Sequence, residues 1–361
     1  MKLKNPDLDF VIIGENIHTT RVVMRRGKLV TTTGDGREAV RYRSVDGEGR
    51  HLVIPEAVQG TQDYEEGRVK HVKIAVQAAM GGDRESAAEG MHYLRRMVQR
   101  QEQAGADFLD LNVDEISLKL EEQKEAMAWL VTTVQGLTDL PVSVDSSNAE
   151  TISVGLQAWD RSKGRPMLNS ASLERIDALD LAVEHDAHVI VTAAGESGMP
   201  ESAEERIANA SAMVDAALEK GIAASDIYID PLIFPISVDG RFGRHSFEAI
   251  AGLREKYGPE IHITGGMSNV SFGIPSRKWI NDVFMILAVE AGADSGIIDP
   301  VTSRPDKVFA LDRGSRPYRL AEDVLQGRDE HCAAYIGAWR RGELGDGGPP
   351  RRRRPARERP R

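Results

Sequence analysis

Short apolar runs recur along the chain, each closing on a polar residue and a turn, and most followed by a helix-length amphipathic segment. They lie at 10–14, 107–112, 141–145, 166–169, 187–192, 226–230, 261–265 and 295–299, eight in all. Eight is the number of strands in a closed barrel of alternating strands and helices. The spacing predicts helices over 84–104, 119–136, 149–159, 172–184, 202–220, 246–257 and 276–291, because their apolar residues repeat at the step that keeps one helical face buried. Gly105, Gly136, Gly221, Gly258 and Gly292 follow five of them as left-handed stops, and Ser202-Ala203-Glu204-Glu205 reads as a capping box. The runs are read as continuous rather than alternating, as expected of parallel strands buried on both faces. A doubly wound open sheet is the rival architecture. It requires a glycine-rich phosphate turn after the first strand, and Gly14-Glu15-Asn16-Ile17-His18 offers one glycine. The expected fold is an α/β (β/α)8 TIM barrel.

Two segments stand outside the repeat. Residues 21–70 separate the first strand from the first helix and are rich in Gly, Arg and Thr, with hairpin strands expected within 22–30 and 42–54 around Gly34-Asp35-Gly36 and Asp46-Gly47-Glu48-Gly49. An insertion after a strand lies on the face where barrel enzymes keep their chemistry, so it reads as a lid, a partner-docking surface or a plain loop excursion. The barrel domain is expected over 1–340, and 341–361, with Pro349-Pro350 and four consecutive arginines, reads as a disordered basic tail.

Composition narrows the function classes. The formal net charge is −10, although residues 340–361 hold nine arginines against Glu343, Asp346 and Glu358, so the acidity belongs to the body. An acidic body does not bind nucleic acid by electrostatics, and no folded nucleic-acid motif accompanies the tail. Cys332 is the one cysteine, which excludes a disulfide within the chain and a cysteine-ligated zinc centre. No apolar run approaches the roughly 20 residues that span a bilayer, and Met1 to Phe10 lacks a signal-peptide core. A cytoplasmic protein with no membrane partner is expected.

The chemistry lies at the strand ends: Glu15 and Asn16, Asp110 and Asn112, Asp145 and Ser146, Asn169, Asp230, Asn269, and Asp299. In a barrel these ends converge on one mouth. Any one of them could merely cap the next helix, as Asp145 to Asn148 could cap the helix beginning near Ala149; seven together are better explained by a single site. The set is carboxylates and carboxamides, which suits a neutral, nitrogen-rich heterocycle with many donors and acceptors. His18, His188 and His262 lie in or beside strands, where a buried, hydrogen-bonded histidine is the ordinary outcome. Asp186-Ala187-His188 begins like a cobalt-ligating loop, but position 191 is valine and the run enters a strand.

The run Gly105-Ala106-Asp107-Phe108-Leu109-Asp110-Leu111-Asn112-Val113 resembles the second-strand motif of the pterin-binding barrel family. Ser143 to Asn148, Pro166 to Ser170, Ile227 to Leu232 and Gly266 to Ser271 resemble later motifs in the family's order. The likeness is nearest to methyltetrahydrofolate:corrinoid methyltransferases and the folate module of cobalamin-dependent methionine synthase. It implies a methyltransferase that moves a methyl group between N5 of methyltetrahydrofolate and the cobalt of a corrinoid carried by a partner protein. It further implies that Asp145, Asn169 and Asp230 hold the pterin by its amino-pyrimidinone edge and that Asn269 hydrogen-bonds N5. Ser268, Arg277, Glu15 and Asn112 would line the same pocket. No protein-bound metal is expected, and a homodimer is implied by the resemblance alone. The chain departs from the family at Glu15-Asn16-Ile17-His18, where Glu-Arg-Ile-Asn is common, in the apolar Phe272-Gly273-Ile274-Pro275, and in the insertion.

Two alternatives stay open. Dihydropteroate synthase shares the fold and pterin site, but its first-loop motif is missing, Asp299-Pro300-Val301-Thr302 does not match its last-strand signature, and no diphosphate site is evident. A non-catalytic pterin-binding subunit would have less use for the intact polar set.

Overall fold

The computed structural model describes residues 10–81 and 83–345. Thirteen strands are present among them: β1 (Val11–His18), β2 (Val22–Met24), β3 (Val30–Thr32), β4 (Glu38–Arg43), β5 (Gly49–Val53), β6 (Arg68–Lys70), β7 (Phe108–Asn112), β8 (Val142–Asp145), β9 (Met167–Ala171), β10 (His188–Thr192), β11 (Ile227–Asp230), β12 (His262–Ile263) and β13 (Ser295–Ile298). Eight of these form a parallel sheet in the order β12-β11-β10-β9-β8-β7-β1-β13. The sheet closes on itself where the Ile297 amide donates to the Gly265 carbonyl at 3.0 Å and that of Asp294 to Ile263 at 3.3 Å. This is the expected (β/α)8 TIM barrel, and all eight apolar runs are its strands.

The strands alternate after all. In Phe108-Leu109-Asp110-Leu111-Asn112 the two leucines are fully buried against the helices, while Phe108 joins Ile13, Met167, Ile190, Tyr228 and Ile297 in a separate core inside the barrel. Val142 and Val144, Leu168, Val189 and Val191, and Ile227 and Ile229 likewise face outward. A two-residue side-chain period therefore sends Asp110 and Asn112, Asp145, Asn169 and Asp230 inward, above the apolar layer. The inward residues are apolar only in the lower layer, so the apparently continuous run conceals an inner face that turns polar at the mouth. Each outward Val, Leu or Ile contributes about 1.5–3 kcal/mol on burial.

The helices follow the periodicity with local exceptions. Arg84–Gln103, Leu120–Gln135, Ala149–Ala158, Ala203–Glu219 and Arg277–Ala291 occupy predicted segments, and Ser202 accepts from the Glu205 amide as a cap. The 172–184 segment divides into a 3-10 turn, Leu173–Arg175, and a helix, Ala178–Glu184. The helix expected from 246 already begins in Phe242–Tyr257. Gly136 has φ −80 and is not a left-handed stop, whereas Gly105, Gly221, Gly258 and Gly292 all have positive φ. The helices His71–Gly81, Arg316–Leu325 and Ala333–Arg341 were not anticipated.

The insertion forms two small sheets. β2 pairs with β6, and β3-β4-β5 is an antiparallel meander whose turns fall at the two predicted Gly-rich sites. The meander is fastened to the flanking helix Arg84–Gln103 rather than left free: Val40, Leu52 and Ile54 are buried, Arg50 pairs with Glu89 at 2.8 Å, and the Tyr42 hydroxyl donates to the same carboxylate. Of the expected tail, Leu344 is buried and its carbonyl accepts from Trp279 Nε1 at 2.8 Å. Residues 346–361 lie outside the described residues.

Candidate active site

The mouth is assembled by register. His18 lies opposite Asn112, Asn112 opposite Asp145, and Asp145 opposite Asn169 across adjacent parallel strands, which places four polar residues in one layer. Asn112 Nδ2 donates to Asp145 Oδ2 at 2.9 Å. Beneath that layer Asp110, fully buried, accepts from Asn169 Nδ2 at 3.3 Å and meets His18 Nε2 at 2.8 Å.

His18 and Glu15 are an odd number of residues apart, so regular alternation would put only one of them inside. A bulge in β1 between Gly14 and Ile17 resets the phase. The Asn16 amide donates not along the ladder but to Gln101 Oε1 at 3.1 Å. Gly14 admits this side chain, since a Cβ there would lie 2.4 Å from Gln101 Oε1. From the sequence alone His18 is an ordinary buried histidine; the bulge makes it part of the site.

On the other side of the mouth stand Glu15, Ser268, Asn269, Arg277 and Asp299. Ser268 Oγ donates to Glu15 Oε1 at 3.2 Å. Arg21, from the first turn of the insertion, donates to Glu15 at 3.2 Å and to Asp299 at 2.8 Å, and Asn16 Nδ2 also donates to Asp299 at 2.8 Å. Arg21 thus bridges these two carboxylates and offsets part of their charge. Arg21 was not singled out in the sequence because it lies just beyond the strand, in a segment without periodicity. Glu15, Arg21, Ser268, Arg277 and Asp299 line a cavity of ≈ 180 Å³.

Asn269 sits in the 3-10 turn Met267–Ser271. Its carboxamide is half-buried and makes no hydrogen bond to the protein among the described residues. Gly265 and Gly266 bring this turn close: a Cβ on Gly266 would lie 2.8 Å from Asn269 Nδ2, and one on Gly265 would lie 3.0 Å from Asp230 Oδ1. Asp230 accepts from the Leu232 amide at 2.8 Å. Asp145, Asn169, Asp230 and Asn269 therefore surround one mouth, with Asn112 beside Asp145 and with Glu15, Ser268 and Arg277 along one side.

Burial shapes the charges. It pushes Asp145 up to about 7, with the nearby Asp110 adding to the effect and His18 opposing it. It likewise raises Asp230 to about 6 and raises Glu15, against the pull of Arg21 and His18. Such displaced carboxylates in a concave site mark a functional site. His18, Asp110 and Asp145 carry ligand atoms within 4.8 Å of one another. His18 is paired with Asp110, and Asp145 accepts from Asn112.

Comparison with known proteins bears on this arrangement. The model of the family described as pterin binding enzyme matches residues 80–299, which include β7 to β13 and every polar strand end except those of β1. The chain belongs to this family. Within the pterin-binding enzymes, it is 31% identical over 262 residues to methylcorrinoid:tetrahydrofolate methyltransferase of Eubacterium limosum, covering 70% of this chain and 89% of that protein. It is also 31% identical over 209 residues to methionine synthase of Mycobacterium tuberculosis, covering 54% of this chain but 17% of that much longer protein. Dihydropteroate synthase from Xanthomonas albilineans, solved with 7,8-dihydropteroate, superposes with a TM-score of 0.51 at 19% identity, covering 64% of this chain and 86% of that one. The enzyme from Stenotrophomonas maltophilia gives 0.51 at 18%, with 61% and 86% covered. These structural likenesses speak to the fold. Among the described residues no helix is long and apolar enough to cross a membrane.

Proposed function

We propose that this protein transfers a methyl group between N5 of methyltetrahydrofolate and the cobalt of a corrinoid delivered by a partner protein. The observation that carries this reading is the unbonded Asn269 carboxamide facing the same mouth as Asp145, Asn169 and Asp230. The two carboxylates and Asn169 supply acceptors and a donor for the amino-pyrimidinone edge of a pterin. The similarity to the Eubacterium limosum enzyme supports both substrates.

A tertiary amine leaves well only when its nitrogen gains positive charge. As the methyl carbon departs, the C–N bonding pair stays on N5, which holds a proton, and the new bond to carbon uses an electron pair from the reduced cobalt. Asn269 accepts through its amide oxygen from protonated N5, a fixed dipole placed where charge develops. No protein nucleophile enters the reaction. In the opposite direction the same site methylates tetrahydrofolate.

The test is an anaerobic absorbance assay with methyltetrahydrofolate and cob(I)alamin, and with the reverse pair. Enzyme-dependent interconversion with methylcobalamin is expected, with kcat reduced about 10²–10³-fold in Asn269→Ala and pterin affinity changed only a few-fold. Unchanged turnover in that variant would overturn the mechanism. Dihydropteroate synthesis requires a site for a departing diphosphate. Here Arg21 is already paired with Glu15 and Asp299, two carboxylates that would repel it.

A further inference from the structure

His18 stands at the bulged end of β1, and the structure gives it a specific neighbourhood. Its ring is partly shielded, with 14% of the side chain exposed, and its Nε2 lies 2.8 Å from an oxygen of Asp110, whose side chain is 0% exposed. The His18 ring, Asp110 and Asp145 hold their nitrogen and oxygen atoms within 4.8 Å of one another. Among the described residues the other side-chain donors to Asp110 and Asp145 are the neutral amides of Asn169 and Asn112. A buried carboxylate beside a half-buried one with only amide donors would be destabilising, and the effect is relieved when a cation stands beside both. The groups that face His18 are Asp110 on β7, Asp145 on β8 and Glu15 on its own strand. Asp145 in turn faces His18, Asp110, Asn112 and Asp114.

We propose that His18 is a positioning residue, carried as an imidazolium between Asp110 and Asp145, and that its charge keeps Asp145 in the carboxylate form that grips the pterin edge. The inference rests on the methyltransferase reading for the identity of the ligand, but the state of the ring does not depend on it. A neutral amide at this position could donate a hydrogen bond but would supply no charge, so the ring's charge sets how acid affects pterin capture. Burial alone would lower the His18 pKa, yet the hydrogen bond and charge of Asp110, then the charges of Asp145 and Glu15, leave it raised. Asp145 moves the other way under His18, which opposes the upward push of burial and of Asp110. The pairing is reciprocal: each charge favours the other.

Two measurements on the full-length protein test this. The first is nitrogen-15 resonance of selectively labelled histidines in the free protein, with His18 assigned by its absence in His18→Gln. Both ring nitrogens are expected to carry protons at pH 7, and Asp110→Asn is expected to return the ring to its neutral form there. The second is calorimetric binding of methyltetrahydrofolate between pH 5.5 and 9. Wild-type affinity should fall on the acid side as Asp145 takes up a proton. In His18→Gln that acid limb should move up by about one pH unit, giving about tenfold weaker binding at pH 6.5 and recovery to within about twofold at pH 9.

Recovery at high pH shows that the variant is folded and that the loss is electrostatic. A neutral His18 ring at pH 7, an acid limb that does not move in His18→Gln, or a stoichiometric divalent metal in the purified protein that disappears in that variant would each overturn the proposal. Wild-type protein that binds no methyltetrahydrofolate at any pH would instead sink the methyltransferase reading and leave the resonance result standing.

Discussion

The guanidinium of Arg277 clamps the turn that carries Asn269: its Nη2 donates to the Ser268 carbonyl at 2.7 Å, and its Nε donates to Ser271 Oγ at 2.8 Å. The group also lies over the Phe272 ring, 4.3 Å from its centroid. Arg277 thus lines the cavity beside Ser268 and at the same time fixes the backbone on either side of Asn269. Phe272, in the apolar stretch after the turn, supplies the platform on which that arginine rests.

Replacing Arg277 with lysine keeps the charge and removes the planar fork that serves both acceptors. We expect kcat to fall about tenfold, with pterin affinity changed less. Stability should drop by about 1–2 kcal/mol, a range consistent with the loss of a hydrogen bond from a charged donor. Steady-state kinetics and urea unfolding on the same preparation check this. A variant with wild-type kcat would mean that the turn holds itself.

Gly266→Ala tests placement without altering a functional group. Its backbone lies at φ −69 and ψ 80, so left-handed strain is not at issue. The new methyl group would meet Asn269 Nδ2 at 2.8 Å and must displace it. Turnover should fall nearly as far as in Asn269→Ala, with the unfolding midpoint almost unchanged. Full activity would show that the carboxamide can relocate and still serve.

Gln101 plugs the bulge in β1 from the helix behind it, and its side chain is fully buried. Gln101→Leu leaves the buried Asn16 amide without its acceptor, at a cost of about 1–3 kcal/mol. Because that bulge is what turns both Glu15 and His18 inward, activity should fall as well. The readouts are urea unfolding and turnover. Loss of stability with full activity would show that the bulge persists without its plug.

Asp230 links the site to pH-dependent stability. Burial raises its pKa to about 6 in the folded protein, well above the usual carboxylate range. The folded protein therefore holds this proton more tightly than the unfolded chain does. The destabilisation is absent below the unfolded value, grows between about pH 4 and 6, and is complete above that, on the order of 3 kcal/mol. Asp230→Asn removes the charge and should stabilise the unliganded protein at pH 8 by about 1–2 kcal/mol, with no gain at pH 4, while weakening pterin binding. Equal effects at the two pH values in chemical denaturation would rule out burial of the charge as the cause.

Much of the architecture is local and so was readable in order along the chain. Each strand is a short apolar run with its own turn, each flanking helix has its own apolar face, and Ser202 caps its helix through residues three apart. For the same reason the polar strand ends announced a mouth: the barrel gathers the carboxyl ends of all its strands on one side wherever the helices lie. Asp145, Asn169 and Asp230 could be named because each is the last inward residue of its strand before the turn.

What the tertiary structure decided is everything that depends on a partner far away in the chain. His18 faces the mouth because Gln101, eighty-five residues beyond Asn16, fills a bulge in β1, and no periodicity within the strand signals that change of phase. Arg21 belongs to the site because Glu15 and Asp299 converge on it from opposite ends of the barrel sheet's chain order. The alternation of the strands was hidden because both of their faces are apolar in the lower layer, and only closure of the sheet separates an outer packing face from an inner core. Sequence determined which residues are available to the mouth; closure and the bulge determined which of them share a charge.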